Sequence, residues 1–379
     1  MKNLKFVSIM LIVMIFCNCQ QGKSQGVKNE AKIQVAILLD TSNSMDGLID
    51  QAKSRLWNIV NTLSTLKYKG KTPEIQIALY EYGNDGLSAK RGYTGYIRKV
   101  APLTTDLDLI SEKLFALTTN GGSEYCGAVI QKATLQLEWS NNDADMKLIY
   151  IAGNEEFNQG NVNYKEAIRG ALAKNIYVNT IFCGDHNQGI RELWKSGADA
   201  GKGKYFNINS DEQVQFISTP YDDRIAACNE RLNKTYISYG ATGVAKQRNQ
   251  ATQDVNAQKM SSSNYAERVV SKSKAAYKND SWDLVDKVKT DSKALSSIKK
   301  EELPKELQNK STEELNVIIA QKSKERETIQ KEIDTLAKQR QAYIDAESKK
   351  AGKGSDDLGK AINASILAFA NTLGYQVEK

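Results

Sequence analysis

Residues 33–40, IQVAILLD, are apolar at nearly every position and end on an aspartate. A short apolar run of this kind reads as a strand buried on both faces. The next stretch, LIDQAKSRLWNIVNTL (48–63), changes period: Leu48, Ala52, Leu56, Ile59, Val60 and Leu63 recur at helical spacing. The alternation then continues. IQIALYEYG (75–83) predicts a strand, GYIRKVAPL (95–103) another on an edge, and DLDLISEKLFAL (106–117) a helix. NGGSEY is a turn that opens the helix GAVIQKATLQLEW (127–139). MKLIYIAG (146–153) is strand-like, NYKEAIRGALAKN (163–175) helical and IYVNTIFCG (176–184) strand-like. GIRELWKSGADA (189–200) predicts a helix and KYFNI (204–208) a last short strand. Strands alternating with helices predict an α/β fold with a mostly parallel sheet covered on both faces.

Past residue 218 the pattern changes. Beyond Gly243 strand patterning nearly vanishes, and Lys, Glu, Gln, Ser and Ala dominate. Residues 311–350 read as helix. Ile329, Ile333, Leu336 and Tyr343 fall on a 4-3-7 spacing, with Arg340 at the intervening seam position. That falls short of the three or four clean heptads of a coiled coil. The expectation is an amphipathic helix folded on its neighbours, with a short coiled-coil segment as the alternative. AGKGS (351–355) predicts a flexible break before a last apolar helix, 358–375.

The amino terminus adds a different signal. Lys2 and Lys5 precede FVSIMLIVMIF (6–16), too short to span a bilayer but the length of a signal-peptide core. Cys17 and Cys19 follow, and then a polar stretch. The arrangement resembles a bacterial lipoprotein signal, which implies acylation, here of Cys19; ordinary cleavage and secretion is the alternative. The expected organisation is therefore a signal peptide (1–19), a polar tether (20–32), an α/β domain (33–218) and a helical region (219–379). The expected location is the cell envelope, by lipid anchor or as a periplasmic or secreted protein.

Composition narrows the partners. The 379 residues suit two or three domains. The 52 basic and 45 acidic side chains give a net charge of +7 but are interleaved, without a basic stripe bearing aromatics. Nucleic acid is not expected as a partner. Cys126, Cys183 and Cys228 leave one thiol unpaired in any disulfide scheme. Buried reduced thiols are expected, with a Cys126–Cys183 bridge at the ligand face as the alternative.

The chemistry concentrates where the first strand ends. Asp40, Thr41, Ser42, Asn43 and Ser44 run in series before a helix. In open α/β sheets ligands bind outside the carboxyl ends of the strands. One carboxylate with hydroxyls at alternate positions suits a hard divalent cation, which takes oxygen ligands. Helix capping accounts for Ser44 alone but not for the set.

LLDTSNSM resembles the DxSxS motif of the von Willebrand factor type A domain. NGGSEY resembles that family's glycine-glycine-threonine loop, with Ser123 in place of the threonine. The resemblance implies a doubly wound six-stranded sheet and a metal-ion-dependent adhesion site. Asp40, Ser42, Ser44 and Ser123 would hold Mg²⁺ or Mn²⁺, and the ion would accept a carboxylate from a protein partner. The family's Thr-Asp-Gly after the later strand is absent; Ala152, Gly153, Asn154, Glu155 and Glu156 stand there. Asn154 and Glu155 are the nearest replacements, and Glu124, beside Ser123, is a further candidate. With one carboxylate fewer, cation binding is expected to be weak.

A binding module is expected rather than an enzyme. A structural envelope assembly protein with a degenerate metal site is one alternative. A haloacid-dehalogenase-like phosphotransferase with Asp40 as nucleophile and Asp185 near its metal is another. That class carries a second aspartate where Ser42 stands. His186 is the only histidine, which excludes multi-histidine zinc sites, and no Walker-type phosphate loop occurs.

Overall fold

The computed structural model describes residues 31–87, 95–351 and 357–378. The expected signal peptide with Cys17 and Cys19, the tether up to residue 30 and the break at 352–355 lie outside the described residues.

The first part of the chain alternates as the pattern requires. β1 (Lys32–Asp40) leads into α1 (Asp46–Ser64), a short β2 (Leu66–Tyr68), β3 (Glu74–Tyr82) and β4 (Ile97–Thr104). Next come α2 (Leu107–Phe115), α3 (Cys126–Gln136), β5 (Met146–Gly153), α4 (Tyr164–Leu172) and β6 (Ile176–Cys183). α5 (His186–Arg191), α6 (Trp194–Ala200) and β7 (Lys202–Ile208) complete the sheet. Its strand order is β4-β3-β1-β5-β6-β7. Every neighbouring pair is parallel except β3 with the edge strand β4. This is the doubly wound, mostly parallel six-stranded sheet.

Alternation along β1 divides the core. Ile33, Val35, Ile37 and Leu39 join the cluster that holds α1 and α2. Ala36 and Leu38 join the opposite cluster with α3, α4 and α6. The central strands β1 and β5 are thus covered on both faces, which explains their nearly unbroken apolar runs.

The helix expected over 189–200 divides in two. Leu193 takes a left-handed conformation (φ 70°) between α5 and α6. The turn buries Trp194 completely; its Nε1 donates to Glu155 O at 2.7 Å and its ring meets Phe157 at 4.9 Å. Burial of the indole outweighs the cost of the backbone conformation.

The remaining elements are α7 (Asp222–Asn233), α8 (Gly243–Met260), α9 (Ser262–Ser273), α10 (Leu284–Thr290), α11 (Thr312–Ala351), α12 (Leu358–Thr372) and β8 (Tyr375–Val377). α9 packs on α1 and α7, α8 on α2 and α9, and α11 on α7, α9 and α10. On α11 the stripe Ile329, Ile333 and Leu336 is buried against these helices of the same chain. Arg340, in that stripe, donates to Asp222 at 2.8 Å. α12 returns to the sheet, lying on α1, β5, β6 and β7. Arg55 of α1 holds Asp357 at 2.7 Å beside its start.

β8 pairs antiparallel with β2, Tyr68 opposite Tyr375. The helix expected over 358–375 ends at Thr372, and Tyr375 belongs to β8 instead. The Tyr375 hydroxyl donates within reach of Lys32 O (3.1 Å) and Ala144 O (2.9 Å), so the chain's far end is stitched to the start of β1. Among the described residues no helix is long and apolar enough to cross a membrane.

Candidate cation site at the strand ends

The sheet register brings the site together. Asp40 pairs with Tyr82, and Leu39 with Ala152, so β1, β3 and β5 end at one rim. Thr41 N donates to Tyr82 O (2.8 Å) and Asn120 N to Thr41 O (3.0 Å). Asp85 N donates to Gly121 O (2.6 Å). Backbone bonds therefore tie the loops after β1 and β3 to the segment between α2 and α3.

Asp40 is fully buried, and its Oδ1 accepts from Ser42 N at 2.7 Å. Its Oδ2 meets no donor of the protein. Glu124 is 4 % exposed, and its Oε2 likewise meets none. The two carboxyls and Ser42 lie close enough to influence one another's ionisation. Burial raises both above the ordinary carboxylate range, and the charge of Glu155 raises them further.

The hydroxyls are not used as helix caps. Ser42 stands at the N-cap of the short turn Asn43–Met45 and Met45 at that of α1, and neither side chain caps. Instead Ser42 Oγ lies 3.4 Å from Ser44 Oγ, and Asn154 Nδ2 donates to Ser44 Oγ at 3.1 Å. The Asn154 Oδ1 is buried without a donor. Ser123 is half-buried in the segment that carries Glu124. Glu155 is exposed, and its carboxylate accepts from Gln159 Nε2 at 3.3 Å.

Orphaned buried oxygens beside two hydroxyls fit a hard cation, whose charge would satisfy acceptors that no protein donor serves. Asp40, Ser42, Ser44, Glu124 and Asn154 form one connected set; Ser123 and Glu155 stand at its margin. Among the described residues no group of three or more His, Cys, Asp and Glu is placed to hold a metal. The set here is made largely of hydroxyls and an amide.

Two glycines shape the rim. Gly83 has φ +78°, and a β-carbon there would lie 2.6 Å from Asp40 Oδ1 and 2.9 Å from Glu124 Cγ. At Gly153 a β-carbon would fall well inside contact with the Tyr82 hydroxyl and 3.1 Å from Asp40 Oδ2. Tyr82 donates to Ala152 O at 2.9 Å and is held there. No side chain fits at Gly153 while Tyr82 keeps its place.

The sequence of residues 34–220 matches the model of the von Willebrand factor type A domain. Residues 34–220 belong to the von Willebrand factor type A family. Von Willebrand type A domains in general mediate protein–protein interaction and are generally not enzymes. No curated protein matches the chain. Solved structures of low identity resemble it. One is an aerotolerance-related membrane protein from Bacteroides fragilis (18 % identity, 47 % of this chain and 93 % of that one, TM-score 0.32). Another is the SpRpn10 VWA domain (17 %, 48 % and 92 %, TM-score 0.34). A third is the pilus adhesin SpaC from Lactobacillus rhamnosus GG (12 %, 48 % and 29 %, TM-score 0.36).

The other singled-out residues have local roles. Asp185 caps α5, accepting from Gln188 N at 3.0 Å. His186 is exposed, bonded to Asn207 at 3.1 Å and resting on Tyr205. Cys126, Cys183 and Cys228 are free and buried, so the Cys126–Cys183 bridge does not form. Burial pushes the Cys126 and Cys183 thiols well above their ordinary range. Tyr82 and Gly83 had carried no sequence signal as site residues. Their place follows from the parallel register of β1 with β3.

Proposed function

We propose that the chain is a protein-binding module of the cell envelope. It holds Mg²⁺ or Mn²⁺ through Asp40, Ser42 and Ser44, with Ser123, Asn154 and Glu155 around them. The ion accepts a carboxylate from a protein partner. The observation that supports this most directly is the buried Asp40 Oδ2, which no donor of the protein serves, beside hydroxyls not used as caps. A cation that binds only weakly alone is held more tightly once the partner's carboxylate joins it, by linkage.

The amino-terminal signal and Cys19 would place the module at the membrane surface by lipid. Intact-mass analysis of the mature amino terminus checks this; a free terminus beginning after Cys19 rules it out.

The second reading, a structural assembly protein with a degenerate site, is favoured by Gly153, where Tyr82 excludes a side chain. One experiment decides. The full mature chain is used to capture partners from native envelope, with Mg²⁺ and then with chelator, beside Asp40→Asn. Capture lost with chelator and in the variant is the expected result. Capture unchanged by both would leave the second reading standing.

A further inference from the structure

Asp40 and Glu124 are carboxylates from different loops, 0 % and 4 % exposed, each with an oxygen that no protein donor reaches. Their closeness is built in. Gly83 gives up its side chain where Asp40 Oδ1 and Glu124 Cγ approach. A further charge that acts on both is Glu155, which is negative as well. Two buried carboxyls this close cannot both be ionised cheaply without a counter-charge, and a cation between them would supply that charge.

Gly153, the last residue of β5, cannot contribute a carboxylate. The Tyr82 hydroxyl occupies the room a side chain at Gly153 would need, and Asp40 Oδ2 lies against the same position. Glu155 is exposed and engaged by Gln159. Glu124, by contrast, is buried with Asp40, both facing the vacant side-chain position of Gly83.

We infer that Glu124 is the second carboxylate of the cation site, delivered from the α2–α3 segment because Tyr82 closes the end of β5 at Gly153. The inference rests on the cation reading above. It adds a ligand and explains how a site with Gly153 keeps two negative charges. It also assigns Tyr82 a positioning role: its hydroxyl sets which loop supplies the second carboxylate.

The test is Mn²⁺ binding by the full mature chain, read by electron paramagnetic resonance and by the thermal shift Mn²⁺ causes. No partner is needed. Asp40→Asn and Glu124→Gln should each weaken Mn²⁺ by roughly 10-fold or more, since even residues that only support a ligand typically cost 10–100-fold. Glu124→Gln is isosteric and removes the negative charge that Glu124 would bring to a bound cation. Without metal its midpoint should equal or exceed that of the unaltered protein, while the Mn²⁺ shift is lost. Adding Tyr82→Phe and Gly153→Asp to Glu124→Gln should restore much of the affinity by returning a carboxylate to the end of β5. If Glu124→Gln binds like the unaltered protein while Asp40→Asn does not, Glu124 is no ligand and the inference fails alone. If the unaltered protein binds no Mn²⁺, the cation reading fails and takes the inference with it.

Discussion

Replacing Arg268 by Met should remove a large part of the stability of the whole fold. Arg268, on α9, is fully buried. Its Nε donates to Asp254 (2.6 Å), Nη1 to Asp108 on α2 (2.8 Å) and Nη2 to Gln250 O (2.9 Å). The guanidinium also lies 4.6 Å from the Trp57 ring on α1. Met keeps most of the stem packing and loses the charge. Asp254 would still have Lys272 (3.0 Å), Asn229 and Asn233. Asp108 would have only the Tyr277 hydroxyl at 2.6 Å among its side-chain donors. The dominant loss is therefore a buried carboxylate left without its counter-charge, about 3–5 kcal/mol. Against a usual total of about 5–15 kcal/mol, that is about a fifth or more. Adding Asp108→Asn removes the stranded charge and should recover about 1–3 kcal/mol as a coupling term. Equilibrium urea unfolding, followed by both tryptophan fluorescence and circular dichroism, gives these numbers. Because Arg268 joins the helical region to the type A domain, both probes should shift together. A loss below about 1 kcal/mol, or single-variant losses that simply add, would refute the reasoning. Two separate transitions would refute the idea that the regions unfold as one.

Glu267, 6 % exposed, is pushed up to about 7 by burial, against the opposing charges of Arg340 and Arg55. Its folded pKa exceeds the unfolded one, so the folded state holds its proton longer. That contribution is complete below about 4.5 and is lost as pH rises through about 7. Glu267→Gln should flatten the fall in stability between pH 5 and 8, by about 2–4 kcal/mol; an unchanged pH difference would count against it. Gly153→Ala should cost about 1–3 kcal/mol by overpacking against Tyr82, and Tyr82→Phe should relieve part of it in the double variant; additive losses would oppose the steric account. Tyr375→Phe should cost about 1–3 kcal/mol, because Lys32 O, Ala144 O and Met146 N share that hydroxyl. Hydrogen exchange at the start of β1 should rise with it, and unchanged protection there would contradict the stitching role.

Hydrophobic periodicity is a local property, and it sufficed for the sheet. A strand buried on both faces must be apolar throughout, and IQVAILLD, MKLIYIAG and IYVNTIFC carry that mark without reference to any partner. The clustering of Asp40, Ser42 and Ser44 was also legible, because a carboxylate and hydroxyls in series at a strand end exceed what a helix cap needs. The break at Leu193 was not, since a buried Trp194 decides it. Nor was β8, whose partner β2 lies at the other end of the chain. The buried charges Arg268, Lys272, Arg326 and Arg340 look in sequence like ordinary solvated helix faces. Only packing supplies the opposing carboxylates that let them be buried. The same holds at the site. Glu124 became a neighbour of Asp40 through the backbone bonds that tie the α2–α3 segment to the rim, and Gly153 a closed position through the parallel register that sets Tyr82 beside Asp40. Side chains brought together from separate loops leave no periodic trace along the chain, so the tertiary structure alone decided which carboxylates meet.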